Sequence, residues 1–307
     1  MTTPLVSLDG MAKEVNVGHI FAKDERARMG LGSFKALGAA YVIARDADAG
    51  LARGRTYVCA SAGNHGLSVA AAASAFGAKA VIFIADTVPE AFADRLRKLG
   101  AEVIREGETY EVSMQAASDF ALAENTALLS DSSWPDYIER PYRVMEGYLI
   151  LMQEVHQQIG TPPTHIFLHA GVGGLAGAAA AFARAHWGNE PTIFVVEPEA
   201  APALAASIEA GRPVQTEGPV SAMGRLDCKE PSLIALQGLS RDADFFATIS
   251  EDEGQSGARW MDDNGLSSTP SGAAGLAALL ASEPHRDALG LNSSSRVLTI
   301  LSEGPEQ

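Results

Sequence analysis

Short apolar runs alternate along this chain with longer alanine-rich stretches, the pattern of strands and helices taking turns over a parallel sheet. "HIFAK" (19–23) reads as a strand. The stretch "SFKALGAAYVIARDA" after it reads as a helix whose first turn Ser33 is placed to cap. Next comes a compact unit: strand "TYVCAS" (56–61), the glycine turn and helix "AGNHGLSVAAAASAFG", strand "AVIFIA" (80–85), helix "PEAFADRLRKLG" and strand "AEVIRE". A helix near 108–125 and the short run "ALLS" follow, and the polar segment "DSSWPDYIERP" then breaks the pattern. The second unit holds "THIFLHA" as strand, "GVGGLAGAAAAFARAHWG" as loop and helix, "PTIFVVEPE" as strand and "RVLTILSEG" as a last strand. The fold expected is α/β, with two three-layer α/β/α domains and mostly parallel sheets. A boundary falls near 130, and the first 35 to 40 residues can pack with either domain.

Composition narrows the function classes. The chain has 307 residues, 47% of them hydrophobic, enough for sizeable cores. A net charge of -15, with no Lys/Arg-rich run, argues against a nucleic-acid partner and for work on a small molecule. Cys59 and Cys228 lie far apart without a C-x-x-C spacing, so neither a disulfide framework nor a zinc site is expected. With no leader-like start and no long apolar run, a cytoplasmic protein away from membranes is the expectation.

Ligands of open α/β sheets sit beyond the carboxyl ends of the strands, so the strand-to-helix loops are where chemistry is sought. The sharpest is "HAGVGGLAG" (169–177), where glycines allow close backbone approach and a helix begins with unpaired N–H groups, as an anion site for a phosphate requires. The same loop also reads as a tight turn that merely packs helix on sheet. A nicotinamide dinucleotide site competes as well: residues 171–176 satisfy G-x-G-x-x-G/A, and Glu197 closes the next strand where a ribose-binding acid would sit. That reading leaves three features without a role: the lysine after Ser-Phe, the "SAGNHG" loop and the late "LSEG".

Those motifs, in this order and together with the phosphate loop "GVGGL", resemble the fold-type II pyridoxal phosphate enzymes, which include serine and threonine dehydratases. Within them "KDERARMGLGSFKALGA", "DSSWPDYIERPYRVMEGY" and "MGRLDCKEPS" look closer to the 2,3-diaminopropionate ammonia-lyases. The resemblance runs from "TPLVSL" (3–8) to "LSEG" (301–304). It implies a cofactor-binding domain of residues 1–39 and 131–307, a smaller mobile domain of residues 40–130 carrying the SAGNHG loop, and a homodimer.

The resemblance gives Lys35 the role of Schiff-base lysine and then of base at Cα, a role a primary amine of lowered pKa supports; alone, it would read as a surface lysine on an amphipathic helix. Gly171, Val172, Gly173, Gly174 and Leu175 would hold the cofactor phosphate. Asn64 would bond the 3'-oxygen of the ring or cap its helix. Ser61, Ala62, Gly63 and His65 would meet the substrate carboxylate through N–H groups. Ser302 would face the pyridine nitrogen, a hydroxyl that does not hold that nitrogen protonated, unless it is only a turn residue.

Ala62 is the informative departure. The ammonia-lyases that accept both enantiomers carry an aspartate before Gly-Asn-His, and serine racemases carry a serine; alanine has no proton to exchange, so only Lys35 is left to act on Cα. Asp131 matches a second acidic position, where a carboxylate would hold the substrate's β-ammonium, or it opens a turn. Asp136 and Asp227 are weaker candidates for the same pocket. Thr269, in "STPSGA" (268–273), replaces an acidic residue that helps many dehydratases bind a cation, so no metal is expected. The implied reaction is α,β-elimination from an L-amino acid: L-2,3-diaminopropionate to pyruvate and ammonia, or else L-serine, L-threonine or 3-hydroxyaspartate dehydration. The alternatives outside that class are a nicotinamide-dependent oxidoreductase and a non-catalytic protein that binds pyridoxal phosphate.

Overall fold

In the computed structural model, which describes residues 2–305, the strands are β1 (Leu5–Ser7), β2 (His19–Asp24), β3 (Thr56–Ala60), β4 (Lys79–Ile84), β5 (Glu102–Arg105), β6 (Ala127–Leu128), β7 (His165–His169), β8 (Thr192–Pro198), β9 (Phe245–Ile249) and β10 (Arg296–Leu301). The α-helices are α1 (Asp9–Glu14), α2 (Lys35–Asp48), α3 (Asn64–Ala75), α4 (Glu90–Lys98), α5 (Tyr110–Ala123), α6 (Glu139–Gln158), α7 (Gly174–Trp187), α8 (Ala203–Ala210), α9 (Leu233–Asp242), α10 (Glu251–Asp263) and α11 (Pro270–Ala281). Every strand expected from an apolar run is present. The expectation had no place for α6, whose apolar positions begin inside the polar segment that broke the pattern, nor for β1 and β9.

Two compact units emerge, one running up to Phe34 and resuming at Leu149, the other spanning Lys35–Tyr148. The divisions thus fall after 34 and after 148, the second within α6, and not at 39 and 130 as expected. Residues 35–39 and 131–148 belong to the smaller unit. The reason is packing: a Cβ on Gly38 would lie 2.7 Å from Val144 Cγ1 and 2.8 Å from Tyr148 Cε1, so α2 and the first half of α6 touch at this glycine.

The first unit has a sheet ordered β1-β2-β10-β7-β8-β9, parallel except for β1 against β2. Alternate strand residues face opposite sides. Ile20, Ala22, Phe167, Phe194, Val196 and Val297 join a core with α1, α10 and α11. Ile166, Leu168, Ile193 and Val195 are buried on the other face, where α7 lies against β7 and α9. Central β10 pairs on both edges, which carries the ends of β7, β10 and β2 to one side of the sheet. There the chain is tied down: Glu25 N–H donates to Leu301 O (2.9 Å), and Phe34 N–H to Ser302 O (3.0 Å).

A buried ionic cluster fixes the same region. Arg28 bridges Glu25 and Glu154 at 2.7 Å each, and Lys23 Nζ reaches Glu154 (2.7 Å) and Thr3 O (2.7 Å). Burial draws the Lys23 ammonium down from its ordinary pKa, while Glu154 supports its charge and is itself held at about 2 against burial by Arg28 and Lys23. Such charges are tolerated inside a protein only because they are paired.

In the second unit the sheet is β5-β4-β3-β6, wholly parallel. Val58, Ala60, Val81 and Phe83 pack on α5 through Ala117, Ala121 and Phe120, while Tyr57, Cys59 and Ile82 are buried on the opposite face, which α3 covers with α2 behind it. Each sheet therefore lies between two helical layers. No helix among the described residues is long and apolar enough to cross a membrane.

Candidate active site

In the first unit β7 ends at His169, and α7 starts five residues later. Gly173 is the N-cap with φ 96, a conformation open to glycine and strained for other residues. A Cβ there would also stand 3.1 Å from Ala235 Cβ, and one on Gly171 would stand 2.9 Å from Cys228 Sγ and 3.0 Å from Arg225 O. Val172 O is taken by Ser232 N–H (2.9 Å). The first hydrogen bond within α7 is Gly177 N–H to Gly173 O (2.8 Å), so the N–H groups of 174–176 are those a helix start leaves for an anion. The loop is thus a backbone cradle, held from behind by residues 225–228 and by α8 and α9.

Ser302, directly after β10, is buried, and its Oγ lies 2.8 Å from His169 Nε2. It is a packed residue at a strand end, not a frayed turn. His169 had no role in the sequence expectation; its one signal was position, a titratable residue closing a buried strand just before the glycine loop. Burial lowers its pKa to about 4, so the ring is neutral at ordinary pH.

Other first-unit candidates are otherwise engaged. Glu197 accepts from the N–H groups of Leu204 and Ala205 (2.8 Å each), so the acid of the dinucleotide reading is the anchor for the start of α8. Asp227 pairs with Lys229 (2.7 Å) and accepts from Ser221 N–H (3.2 Å), and it lies in a different unit from Asp131 and Asp136. Thr269 Oγ1 accepts from Gly272 N–H (3.0 Å), capping α11, and donates to Glu303. Ser33 Oγ is buried with no hydrogen-bond partner, so the expected cap at the start of α2 is not made; Ser33 instead forms a backbone bridge with Glu303.

The second unit brings Lys35 and Asp131 together. Lys35 is the first residue of α2, and its Nζ donates to Asp131 Oδ2. The Tyr148 ring packs against Gly38; burial raises the pKa of its hydroxyl, and the Lys35 charge opposes that. Burial disfavours the Asp131 carboxylate, but the Lys35 ammonium and the His65 ring outweigh it and hold its pKa well below the usual carboxylate range. The loop carrying Asp131 is anchored by Tyr137, whose hydroxyl donates to Leu128 O (2.9 Å) and accepts from Ser130 N–H (3.0 Å). Its ring stacks on Trp134 at 4.4 Å. Asp136 sits in this turn with φ 70. Neither Tyr137 nor Tyr148 was singled out from sequence, because their importance rests on contacts across 7 to 113 positions.

The SAGNHG loop closes β3 and opens α3. A Cβ on Gly66 would fall 2.0 Å from Ser61 O, so this glycine lets the helix begin against the strand end. The N-cap is Gly63; Asn64 is the first helical residue, so Asn64 does not cap the helix. Ser61 N–H is spent on Phe83 O (3.2 Å) and Gly63 N–H on Ser61 Oγ (3.3 Å), which removes both from the N–H groups expected to meet a carboxylate. His65 Nε2 donates to Leu129 O (2.7 Å). Ala62 presents only a methyl group.

The second unit has a lysine paired to a carboxylate, the first a glycine cradle at a helix start and a buried strand-end serine, and the model of the family described as pyridoxal-phosphate dependent enzyme matches residues 1–303. The chain belongs to that family. Among relatives of this pyridoxal-phosphate dependent enzyme, the diaminopropionate ammonia-lyase of Escherichia coli (strain K12) is 30% identical over 334 residues, covering 98% of this chain and 84% of that one. The L-serine dehydratase/L-threonine deaminase of Homo sapiens is 30% identical over 254 residues, covering 81% and 73%. The Escherichia coli ammonia lyase in complex with an aminoacrylate-PLP azomethine reaction intermediate superposes with a TM-score of 0.92 at 30% identity, covering 99% of this chain and 84% of that one. The tomato (Solanum lycopersicum) threonine deaminase isoform 2, at 20% identity and a TM-score of 0.87, shares the fold.

The residues present fit the cofactor. Gly171 and Gly173 let the loop pack tightly against residues 225–228, α8 and α9, and the backbone N–H groups at the helix start suit a phosphate dianion. Lys35 carries the amine that the aldehyde needs.

Proposed function

We propose that this enzyme eliminates ammonia from L-2,3-diaminopropionate, with residues 171–175 holding the cofactor phosphate, Ser302 facing the ring nitrogen, Asn64 at the 3'-oxygen and the start of α3 receiving the substrate carboxylate. When bound, the cofactor condenses with amino groups through its aldehyde and draws electrons away from the Cα–H bond. Lys35 Nζ, as the free amine, takes the Cα proton; the electron pair left behind forms the Cα=Cβ bond as the Cβ–N bond breaks. The β-nitrogen leaves as neutral ammonia because it enters as an ammonium. The remaining aminoacrylate hydrolyses to pyruvate and a second ammonia.

The Lys35–Asp131 contact carries this choice of substrate. A carboxylate beside the reacting amine is a partner for a cation, so it holds the β-ammonium until the bond breaks. A hydroxyl leaving group brings no charge for Asp131 to hold. Dehydration of L-serine or L-threonine is the second reading, supported by the serine dehydratase relatives. Ala62 offers no base for the opposite face of Cα, so the D-isomer and racemisation are disfavoured. The reading includes a cytoplasmic homodimer, in keeping with the free thiols of Cys59 and Cys228.

The test is a substrate panel of L- and D-diaminopropionate, L-serine, L-threonine and 3-hydroxyaspartate, scored for keto acid and ammonia. Two ammonia per pyruvate from L-diaminopropionate, with the D-isomer slower by about 100-fold or more, is the expected result. Turnover of L-serine above that of diaminopropionate, or comparable rates for the two enantiomers, would overturn it.

A further inference from the structure

We infer that His169 is a positioning residue that fixes the Ser302 hydroxyl as a hydrogen-bond donor toward the cofactor's ring nitrogen and thereby keeps that nitrogen unprotonated. The inference rests on the placement of Ser302 proposed above. The two side chains come from the ends of adjacent parallel strands, β7 and β10, and are both buried, with Nε2 and Oγ 2.8 Å apart.

Which atom donates follows from the other ring nitrogen. His169 Nδ1 is buried and has no hydrogen-bond partner. It faces α11 at Gly275, where a Cβ would lie 3.5 Å away. The neighbouring Phe167 O, two residues earlier on the same strand, already receives the Thr299 hydroxyl (3.2 Å). A proton on Nδ1 would be a buried donor with nothing to donate to, whereas a bare lone pair there costs less. The proton therefore sits on Nε2 and points at Ser302 Oγ. Burial lowers the His169 pKa to about 4, which supports a neutral ring with a single N–H to place.

The consequence lies in the hydroxyl's inventory. A serine has one hydrogen and two lone pairs. With a lone pair occupied by His169 Nε2–H, the hydrogen is left to donate, and its natural acceptor is an unprotonated pyridine nitrogen. In the opposite tautomer the hydrogen would be spent on His169, and Ser302 could only accept, which would favour a protonated ring. The histidine thus selects the weaker electron sink, suited to a β-leaving group that departs as the Cα proton is lost.

The experiment is solid-state 15N NMR of the holoenzyme carrying ring-labelled pyridoxal phosphate and labelled histidine, with cofactor dissociation constants measured by reconstitution. The wild type should show an unprotonated ring nitrogen and a His169 protonated on Nε2. His169→Leu should shift the ring-nitrogen signal and weaken cofactor binding about tenfold, while His169→Gln, which retains an N–H donor, restores both. In a Ser302→Ala background His169→Leu should have no further effect on the ring nitrogen. A His169 protonated on Nδ1 in the wild type overturns the inference, and that measurement needs no variant to fold. A His169→Leu variant that binds cofactor less tightly with an unmoved ring-nitrogen signal overturns it too. If Ser302→Ala leaves that signal in place, the placement of Ser302 falls, and the inference with it. Wild-type protein that takes up cofactor but turns over only L-serine would defeat the diaminopropionate reading and leave this inference standing.

Discussion

Replacing Asp131 by asparagine keeps the shape and a hydrogen-bonding oxygen beside Lys35 but removes the charge that would hold the substrate's β-ammonium. Two unit charges about 4 Å apart at an effective dielectric near 20 attract by about 4 kcal/mol. Part of that is offset by desolvation, and the amide oxygen still accepts a hydrogen bond, so a net loss of about 2–3 kcal/mol is expected. This corresponds to a fall of roughly 30- to 150-fold in kcat/KM for L-2,3-diaminopropionate. L-Serine carries no second cation, and its kcat/KM should stay nearly constant. The assay is keto-acid formation under steady state for both substrates, wild type beside Asp131→Asn, with cofactor occupancy checked by absorbance. Equal losses for the two substrates would refute the reasoning, since they would mean that Asp131 acts through Lys35 alone.

The other predictions concern the frame around the site. Gly66→Ala puts a methyl group 2.0 Å from Ser61 O, so α3 must move off the end of β3; destabilisation of about 3 kcal/mol is expected in denaturant titrations, with cofactor affinity reduced. Glu154→Ala strips Arg28 and Lys23 of a shared buried partner and should cost about 3–5 kcal/mol, read as a lowered Tm. The depressed His169 pKa gives a signed pH effect: the unfolded ring binds a proton near pH 6.5 and the folded ring only near 4. Stability from this residue is therefore full above about pH 6.5 and lost as pH falls toward 4. His169→Gln should flatten the stability difference between pH 7 and pH 4.5 by about 2–3 kcal/mol relative to wild type, measured by urea unfolding at both values. Lys35→Ala should yield a folded protein without the visible absorbance of the lysine-linked cofactor, read by spectrophotometry.

Much of the frame could be read from the order of residues alone, because strand and helix periodicity are local properties. The parallel strands, the glycine loop at 171–174, the SAGNHG turn and the lysine after Ser-Phe all announce themselves within a dozen residues, and they pointed to the cofactor family. The α6 helix did not, because its first turns carry Pro141 and charged residues that look like loop, and its apolar face has meaning only against α2. Glu197 shows the opposite failure: its spacing suits a ribose-binding acid, but the fold brings the start of α8 onto its carboxylate.

What the sequence determined is the kind of protein: α/β, acidic, with a glycine loop and a lysine in the order of a pyridoxal-phosphate dependent enzyme. Only the tertiary structure decided which side chains act on one another. Lys35 meets Asp131 across 96 positions and Ser302 meets His169 across 133. Such pairings come from strand order and helix docking, and they set what no local pattern encodes: a side chain's burial, its hydrogen-bond partner and hence its protonation state.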